Sequence, residues 1–121
     1  MDKKHRLTRS ADFQRVYRQG KSVAGRHMVL YYFERPRESP ADPRLGLTVS
    51  KKIGVAVVRN RVKRVLKEAF HQFQEDVAPG YDYVIIARSG LAEYVEKSQF
   101  EAIVTAMAEL FRRADLIQEA E

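Results

Sequence analysis

Length, composition and charge exclude several classes of protein. The chain has 121 residues, of which 45% are hydrophobic and none is cysteine, as expected of a single domain over residues 1–121 with its own core. The absence of cysteine excludes a disulfide scaffold, a cysteine-based zinc finger, a cysteine nucleophile and an iron–sulfur site. The charged start leads into no apolar run, and no stretch reaches the roughly 18 apolar residues of a membrane span. We therefore expect a cytoplasmic protein that has no membrane partner.

The charge is unevenly distributed along the chain, whose net charge is +6. Residues 1–26 carry eight Lys or Arg and two acids, and residues 51–67 carry seven Lys or Arg and no acid. Residues 27–50 are neutral, whereas residues 68–121 carry four basic residues and eleven acids. A chain that uses charge only for solubility intersperses the two signs, so this segregation predicts an anionic partner.

The first half of the chain predicts one helix and two strands. Ser10 is typical of a helix N-cap, and Gly20 ends the helix. The apolar positions of this helix are Phe13, Val16 and Tyr17. Residues 28–33 are rich in β-branched and aromatic side chains, and residues 45–49 form the next strand candidate. A loop with three prolines in residues 36–43 separates the two strands, which could pair as a long-looped hairpin.

The second half predicts a long helix, a central strand and a C-terminal helix. Apolar residues from Val58 to Phe73 recur at helical spacing. Residues 83–87 are almost continuously apolar, which is typical of a strand covered on both faces. Ser98 and Glu101 fit a capping box before the last helix. The order αββαβα predicts an α/β (α+β) two-layer sandwich, with a mixed sheet of three to four strands and helices packed mainly on one face.

The strongest indication of binding is the cationic segment 50–67. Helix positions i, i+3, i+4 and i+7 share one face, and here they are Asn60, Lys63, Arg64 and Lys67. Like charges on adjacent turns destabilise an isolated helix by about 0.2 to 0.5 kcal/mol per pair, whereas a solvated face usually alternates signs. Arg59 and Arg61 flank the helix start, where free N–H groups and the positive end of the helix dipole favour phosphate. We therefore interpret this face as an anion-binding surface.

The aromatic residues of the first helix and first strand allow two interpretations. Phe13 and Tyr17 on the helix and Tyr31 on the strand could simply belong to the core. The same helix carries Arg15 and Arg18, and aromatic residues interleaved with arginines are typical of single-stranded nucleic-acid binding. Along the strand, successive side chains alternate between opposite faces. One face would carry Leu30 and Tyr32, and the other Val29, Tyr31 and Phe33. The pattern alone favours neither interpretation.

Other catalytic chemistry finds little support in the sequence. The histidines, which lack metal-ligand spacing, are His5, His27 and His71. Ser50 and Ser89 lack the glycine pattern of a nucleophile elbow, and the lone Gly54 does not make a phosphate-binding loop. The acids show no pairing at strand ends of the kind a two-metal nuclease needs. Self-contained hydrolysis is therefore poorly supported.

Several motifs between residues 46 and 70 match those of one protein family. They are Gly46-Leu-Thr-Val-Ser-Lys-Lys-Ile-Gly54, Ala56-Val57, Arg59-Asn-Arg-Val-Lys-Arg64 and Glu68-Ala-Phe70. Further matches are Arg6-Leu7, Asp12-Phe13 with Tyr17 and Gly20, Val29-Leu-Tyr31, and Asp82-Tyr-Val-Ile-Ile-Ala-Arg88. With these motifs the chain resembles the protein subunit of bacterial ribonuclease P. Val55 stands where that family usually has asparagine, so we expect no polar side-chain contact from this position.

The resemblance implies a non-catalytic subunit of an endoribonuclease, a ribonucleoprotein of tRNA processing. An RNA subunit with bound Mg²⁺ would remove the 5′ leader from precursor tRNA, and the protein would bind that RNA 1:1 while holding no metal tightly. Contacts with the catalytic RNA are expected from Lys51, Lys52, Arg59, Asn60, Arg61, Lys63, Arg64 and Lys67. A cleft between the first helix and the sheet would hold the leader with Phe13, Arg15, Tyr17, Arg18 and Tyr31.

The resemblance also implies a particular fold. It is similar to the second domain of ribosomal protein S5 and contains a left-handed βαβ crossover. In this chain the crossover would join residues 45–49 to residues 83–87 through the long helix. A general βαβ unit is expected to be right-handed, so the left hand follows from the resemblance alone.

Two alternative functions remain open on the sequence. A generic RNA-binding module, such as a ribosomal or assembly protein, would share the cationic helix but would not affect leader removal. A stand-alone metal-dependent nuclease would cleave RNA without an RNA partner and would lose activity in chelator. The nuclease thus differs from the other two in its activity without an RNA partner, and the generic module differs from the ribonuclease P subunit in having no effect on leader removal.

Overall fold

The computed structural model describes residues 5–37 and 41–117. The helices are α1 (Ser10–Gln19), α2 (Ala56–His71), α3 (Leu91–Lys97) and α4 (Phe100–Arg113). The strands are β1 (Lys21–Ala24), β2 (Met28–Glu34), β3 (Arg44–Thr48) and β4 (Tyr81–Ala87). Short 3-10 turns span Lys51–Ile53 and Gln74–Asp76. Compared with the predicted order, the described chain adds β1 and α3.

The four strands form one mixed sheet in the order β1-β2-β4-β3. β4 is central, as its apolar run predicts, and it pairs antiparallel with β2 and parallel with β3. The predicted hairpin between residues 28–33 and 45–49 is wrong because β4 lies between these two strands. β4 can fill the centre since it offers apolar side chains to both faces of the sheet, including Tyr83 and Val84.

β3, α2 and β4 form the parallel βαβ unit that the resemblance implies. The hand of its crossover stays a prediction. β3 lies at an edge of the sheet, and the segment before α1 runs beside it. Arg6 forms an isolated parallel bridge with Leu45, and the Leu7 N–H donates a hydrogen bond to the Leu45 carbonyl at 2.9 Å.

The two faces of the sheet bury two separate apolar clusters. The larger lies between the sheet and α2, α3 and α4, and it includes Leu30 and Tyr83. The smaller lies beneath α1 and is built on Leu7, Val16 and Val84. Three of the four helices thus pack on one face, which confirms the predicted fold class and leaves the opposite face to α1.

Two predicted helix caps are wrong. Ser10 is the first residue of α1, and Arg9 occupies the N-cap position without a side-chain cap. The capping box of Ser98 and Glu101 does not form, since Gln99 is the N-cap of α4 and makes no side-chain cap. Ser98 instead follows the unpredicted helix α3, to which its N–H group bonds. The serine therefore ends one helix instead of starting the next.

Candidate nucleic-acid interface

The cationic residues of the long helix lie in two rows along α2. The exposed row contains Asn60, Arg61 and Arg64. The half-buried row contains Arg59, Lys63 and Lys67, spaced four residues apart. The opposite side of α2 is buried in the main core through Val62, Leu66, Ala69 and Phe70. The four residues of the predicted face therefore lie opposite the core, with Asn60 and Arg64 more exposed than Lys63 and Lys67.

Little negative charge opposes these cations. Within residues 5–37 and 41–117, the sole carboxylate within 4.0 Å of a Lys or Arg of segment 51–67 belongs to Glu96, whose Oε1 lies 3.8 Å from Arg61 Nη1. Both side chains are more than half exposed, so this pair is weak. Arg59 Nε is buried without a hydrogen-bond partner among the described residues. One nitrogen of this guanidinium is therefore unsatisfied within the described residues.

The start of α2 adds positive potential. Its N-cap is Val55, which has no side-chain oxygen to bond the first N–H groups, and the first turn contains no acid. Lys51 and Lys52 lie exposed in the turn just before it. Free N–H groups and the positive dipole end are thus left beside two lysines, an arrangement that suits phosphate.

The three predicted aromatic residues meet where α1 crosses the sheet. The ring centroids of Phe13 and Tyr17 are 6.3 Å apart, and those of Tyr17 and Tyr31 are 5.3 Å apart and almost perpendicular. All three rings are half-buried against the smaller core cluster. Their inner edges therefore contribute to the core while part of each side chain stays accessible. The two interpretations of these residues are compatible.

Two contacts with β3 hold α1 against the sheet. A Cβ on Gly46 would lie 2.5 Å from Phe13 Cζ, so only glycine leaves room for this ring. The Tyr17 hydroxyl lies 2.7 Å from Thr48 Oγ1 and makes a hydrogen bond with it. Gly46 and Thr48 are two residues apart and therefore share one face of β3. The sequence interpretation missed Thr48: alternation places it on the same face as Gly46, but its contact with Tyr17 depends on the fold.

The two arginines of α1 differ in their surroundings. Arg15 is half-buried, with its Nη1 atom 3.5 Å from Asp12 Oδ1, whereas Arg18 is exposed in the last turn. Four of the residues predicted to bind the leader thus lie on α1 and the fifth on β2; we call this set the α1 cleft: Phe13, Arg15, Tyr17, Arg18 and Tyr31.

A buried ionic network, also missed by the sequence interpretation, joins the sheet to α1. Asp82 on β4 is fully buried and accepts hydrogen bonds from Arg35 Nη1 at 2.8 Å and from Arg44 Nε at 2.7 Å. Arg44 Nη2 donates to the second oxygen of Asp82 at 2.8 Å, and Arg44 Nη1 lies 3.8 Å from Asp12 Oδ2. The hydrogen bond to Asp82 raises the pKa of Arg44 above its ordinary value. The network fixes Asp12, which precedes Phe13 on α1.

The histidines do not converge on a site. His5 Nδ1 lies 3.2 Å from the Pro43 carbonyl oxygen, His27 stacks on Tyr94 with centroids 4.1 Å apart, and His71 is exposed at the end of α2. In the described ranges, no three His, Asp or Glu side chains are grouped as a metal site would require. Also within these ranges, none of the helices has the length and apolar character needed to cross a bilayer.

The mixed sheet and its helices define a small α+β protein, and the cationic helix gives it a surface suited to nucleic acid. Comparisons with known proteins specify the class further. The Ribonuclease P family model matches residues 1–115. The chain is 50% identical over 93 residues to the ribonuclease P protein component of Geobacillus kaustophilus, which covers 77% of this chain and 75% of that protein. It is 43% identical over 120 residues to that of Brevibacillus brevis, covering 99% and 90%.

Solved structures agree with these relatives. The RNase P protein of Staphylococcus aureus matches with a TM-score of 0.80 and 32% identity, covering 94% of this chain and 98% of that chain. The RNase P protein of Thermotoga maritima matches with a TM-score of 0.79 and 30% identity, covering 89% and 96%. The chain belongs to the ribonuclease P protein family and is a protein component of the endoribonuclease that processes the 5′ end of tRNA.

Proposed function

We propose that this protein binds the RNA subunit of ribonuclease P through α2 and the 5′ leader of precursor tRNA through the α1 cleft. The observation that carries the proposal is the charge of segment 51–67, where seven Lys or Arg occur without an acid. Such a surface loses the repulsion among its own cations when phosphates neutralise it. The protein thereby assists endonucleolytic removal of the leader.

The surface for the RNA subunit comprises the turn before α2 and the two rows on the helix. Its residues are Lys51, Lys52, Arg59, Asn60, Arg61, Lys63, Arg64 and Lys67. The arginine guanidinium groups can bind phosphate oxygens in pairs of hydrogen bonds. Asn60, which is exposed among them, can donate to and accept from a ribose hydroxyl or a base edge.

The α1 cleft suits a single strand. Phe13, Tyr17 and Tyr31 offer accessible ring surface at fixed positions, and bases of any sequence can stack on aromatic rings. Arg15 and Arg18 on the same helix can neutralise the backbone of that strand. A mature tRNA has no leader, so this cleft distinguishes substrate from product.

We assign the cleavage chemistry to the RNA subunit. Mg²⁺ binds through oxygen ligands, usually carboxylates together with phosphate and water. The described carboxylates form no such cluster, and Asp82, the fully buried one, is bonded to two arginines. The donor set of the described residues thus fits Mg²⁺ poorly, and we assign the ions to the RNA. We further propose a 1:1 complex in the cytoplasm.

The test is cleavage of precursor tRNA at low Mg²⁺ by a bacterial ribonuclease P RNA. Three reactions are compared: RNA alone, protein alone, and both together. We expect accurate 5′ cleavage to be rescued only when both are present, because the protein raises substrate affinity and neutralises phosphate. The variant Thr105→Ala, at an exposed position of α4, is a control that should rescue cleavage as the wild-type protein does.

The other two outcomes correspond to the two alternative functions. Tight binding to the RNA without rescue of cleavage would favour a generic RNA-binding module. Cleavage by the protein alone, abolished by chelator, would instead establish a stand-alone nuclease and would contradict the assignment of the chemistry to RNA.

A further inference from the structure

Two large apolar side chains stand exposed at the start of α2. Val55 is 71% exposed and Val57 is 78% exposed, and within the described residues these are the most exposed large hydrophobic side chains. Single exposed apolar residues are normal on a protein surface. These two flank the small, exposed Ala56 at one helix start, and we call the two valines the apolar tip.

The apolar tip lies within the cationic surface. Lys51 and Lys52 precede it in the adjoining turn. On α2, Val57 lies three residues before Asn60 and four residues before Arg61. It is therefore the first residue of the same exposed row. A ligand that contacts this row from Arg64 to the helix start therefore also reaches Val57.

We propose that the apolar tip of Val55 and Val57 packs against an unpaired base of the RNA subunit. The inference rests on the proposed function of α2 and adds a contact that does not depend on phosphate. Unpaired bases of RNA are splayed out in loops and bulges, and their faces are flat and poorly hydrated. Apolar side chains do contact base faces in DNA complexes, where they insert between base steps.

Charge complementarity favours RNA over a protein as the partner of this surface. Segment 51–67 has seven cations and no acid, so two copies of this surface repel one another. An acidic protein could neutralise the cations, but the phosphates of an RNA do so while its bases cover the valines. One partner thereby satisfies both features.

The test uses the double variant Val55→Ala with Val57→Ala. Alanine removes the exposed methyl groups, adds no polar atom and is tolerated in a helix. It also leaves the first N–H groups of α2 uncapped, so the arrangement that suits phosphate at the helix start is kept. Binding to ribonuclease P RNA is measured over a series of salt concentrations, with Thr105→Ala as the matched control on an exposed helix position.

We expect about tenfold weaker binding at every salt concentration, because the interaction that the variant removes is apolar. The slope of log affinity against log salt should stay unchanged, whereas Arg61→Ala should change it by about 0.7 to 0.9. Unchanged affinity of the valine variant, or a changed slope, would overturn this inference alone. If the wild-type protein failed to bind the RNA, the proposed function would fail with it.

Discussion

Arg44 on β3 donates two hydrogen bonds to the buried carboxylate of Asp82 on β4, and its third nitrogen faces Asp12 on α1. The side chain thus connects the two parallel strands and the helix that forms one wall of the α1 cleft. Arg35 reaches the same carboxylate and also bonds the Tyr81 and Asp42 carbonyls. This carboxylate thus joins β3 to β4 directly and is linked to α1 through Arg44.

Arg44→Met should destabilise the protein strongly. Methionine retains an apolar stem but leaves Asp82 with Arg35 as its remaining charged partner, and breaking a buried ion pair costs about 3 kcal/mol. The free energy of unfolding is measured by urea denaturation. Arg26→Met, at an exposed position, is the control and should change this free energy by less than about 0.5 kcal/mol. Equal effects of the two variants would contradict a structural role of the network.

Gly46→Ala should displace Phe13. The new Cβ would meet the ring at 2.5 Å, and overpacking of this kind costs about 1 to 3 kcal/mol. Phe13→Ala removes the obstructing ring, so Gly46→Ala should cost much less in that background. Urea denaturation of the four proteins of this double-mutant cycle gives the coupling energy. Simple additivity of the two changes would show that the ring does not occupy this position.

Replacing Arg59, Arg61 and Arg64 together by alanine should weaken binding to the RNA subunit and flatten its salt dependence. Removing one phosphate interaction reduces the slope of log affinity against log salt by about 0.7 to 0.9. Arg112 and Arg113 on α4 can be changed to alanine as a control that alters the net charge in the same direction. An unchanged slope in the triple variant would contradict the assignment of RNA binding to α2.

Tyr31→Leu should weaken binding of precursor tRNA by the complex about tenfold and leave binding of mature tRNA unchanged, because base stacking is worth about 1 to 3 kcal/mol. Tyr32→Leu is a matched control, since Tyr32 is also half-buried but packs on the opposite face of β2. Affinities for both tRNAs are compared by filter binding. Equal losses of affinity for precursor and mature tRNA would mean that Tyr31 has a purely structural role.

Stability should fall at alkaline pH through Tyr83. Burial raises the pKa of this phenol above its ordinary value of 10.0, and its hydroxyl donates to the Ala78 carbonyl at 2.7 Å. Below about pH 10 the Tyr83 phenol is protonated in both the folded and the unfolded chain. Above it the unfolded chain loses the proton while the folded chain keeps it, so the free energy of unfolding falls by up to about 1.4 kcal/mol per pH unit.

Tyr83→Phe removes this titration, so its unfolding free energy should fall less steeply than that of the wild type above about pH 10. Urea denaturation at several pH values gives both slopes. Tyr94→Phe, at a less buried tyrosine, is the control. Identical slopes for the wild type and Tyr83→Phe would mean that Tyr83 ionises as readily in the folded state as in the unfolded chain.

Local patterns predicted the parts of the fold whose side chains have a clear period. The alternation along β2 places Tyr31 and Tyr32 on opposite faces, and the structure assigns them to different clusters. The apolar run of β4 predicts its central place, which the sheet order confirms. β1 was missed because three of its four residues are exposed, so it has no apolar pattern.

Contacts between distant segments could not be predicted from local patterns. Arg35 and Arg44 lie 47 and 38 residues before Asp82, and each resembles an ordinary solvated charge in its own segment. The rest of the strand order was beyond reach for the same reason, since the apolar run places β4 at the centre without showing which strand lies on each side of it. At the site, helical spacing located the cationic face of α2, but the contact of Tyr17 with Thr48 needed the fold.

The bridge between Arg6 and Leu45 has a consequence for handling the protein. Because β3 is an edge strand, the short segment before α1 shields one side of it from other chains. An uncovered edge pairs readily with a second strand, which leads to aggregates or swapped dimers. A preparation whose N-terminus is trimmed past Leu7, or displaced by a tag, should therefore self-associate through β3. Oligomers seen only in such preparations reflect an unprotected edge.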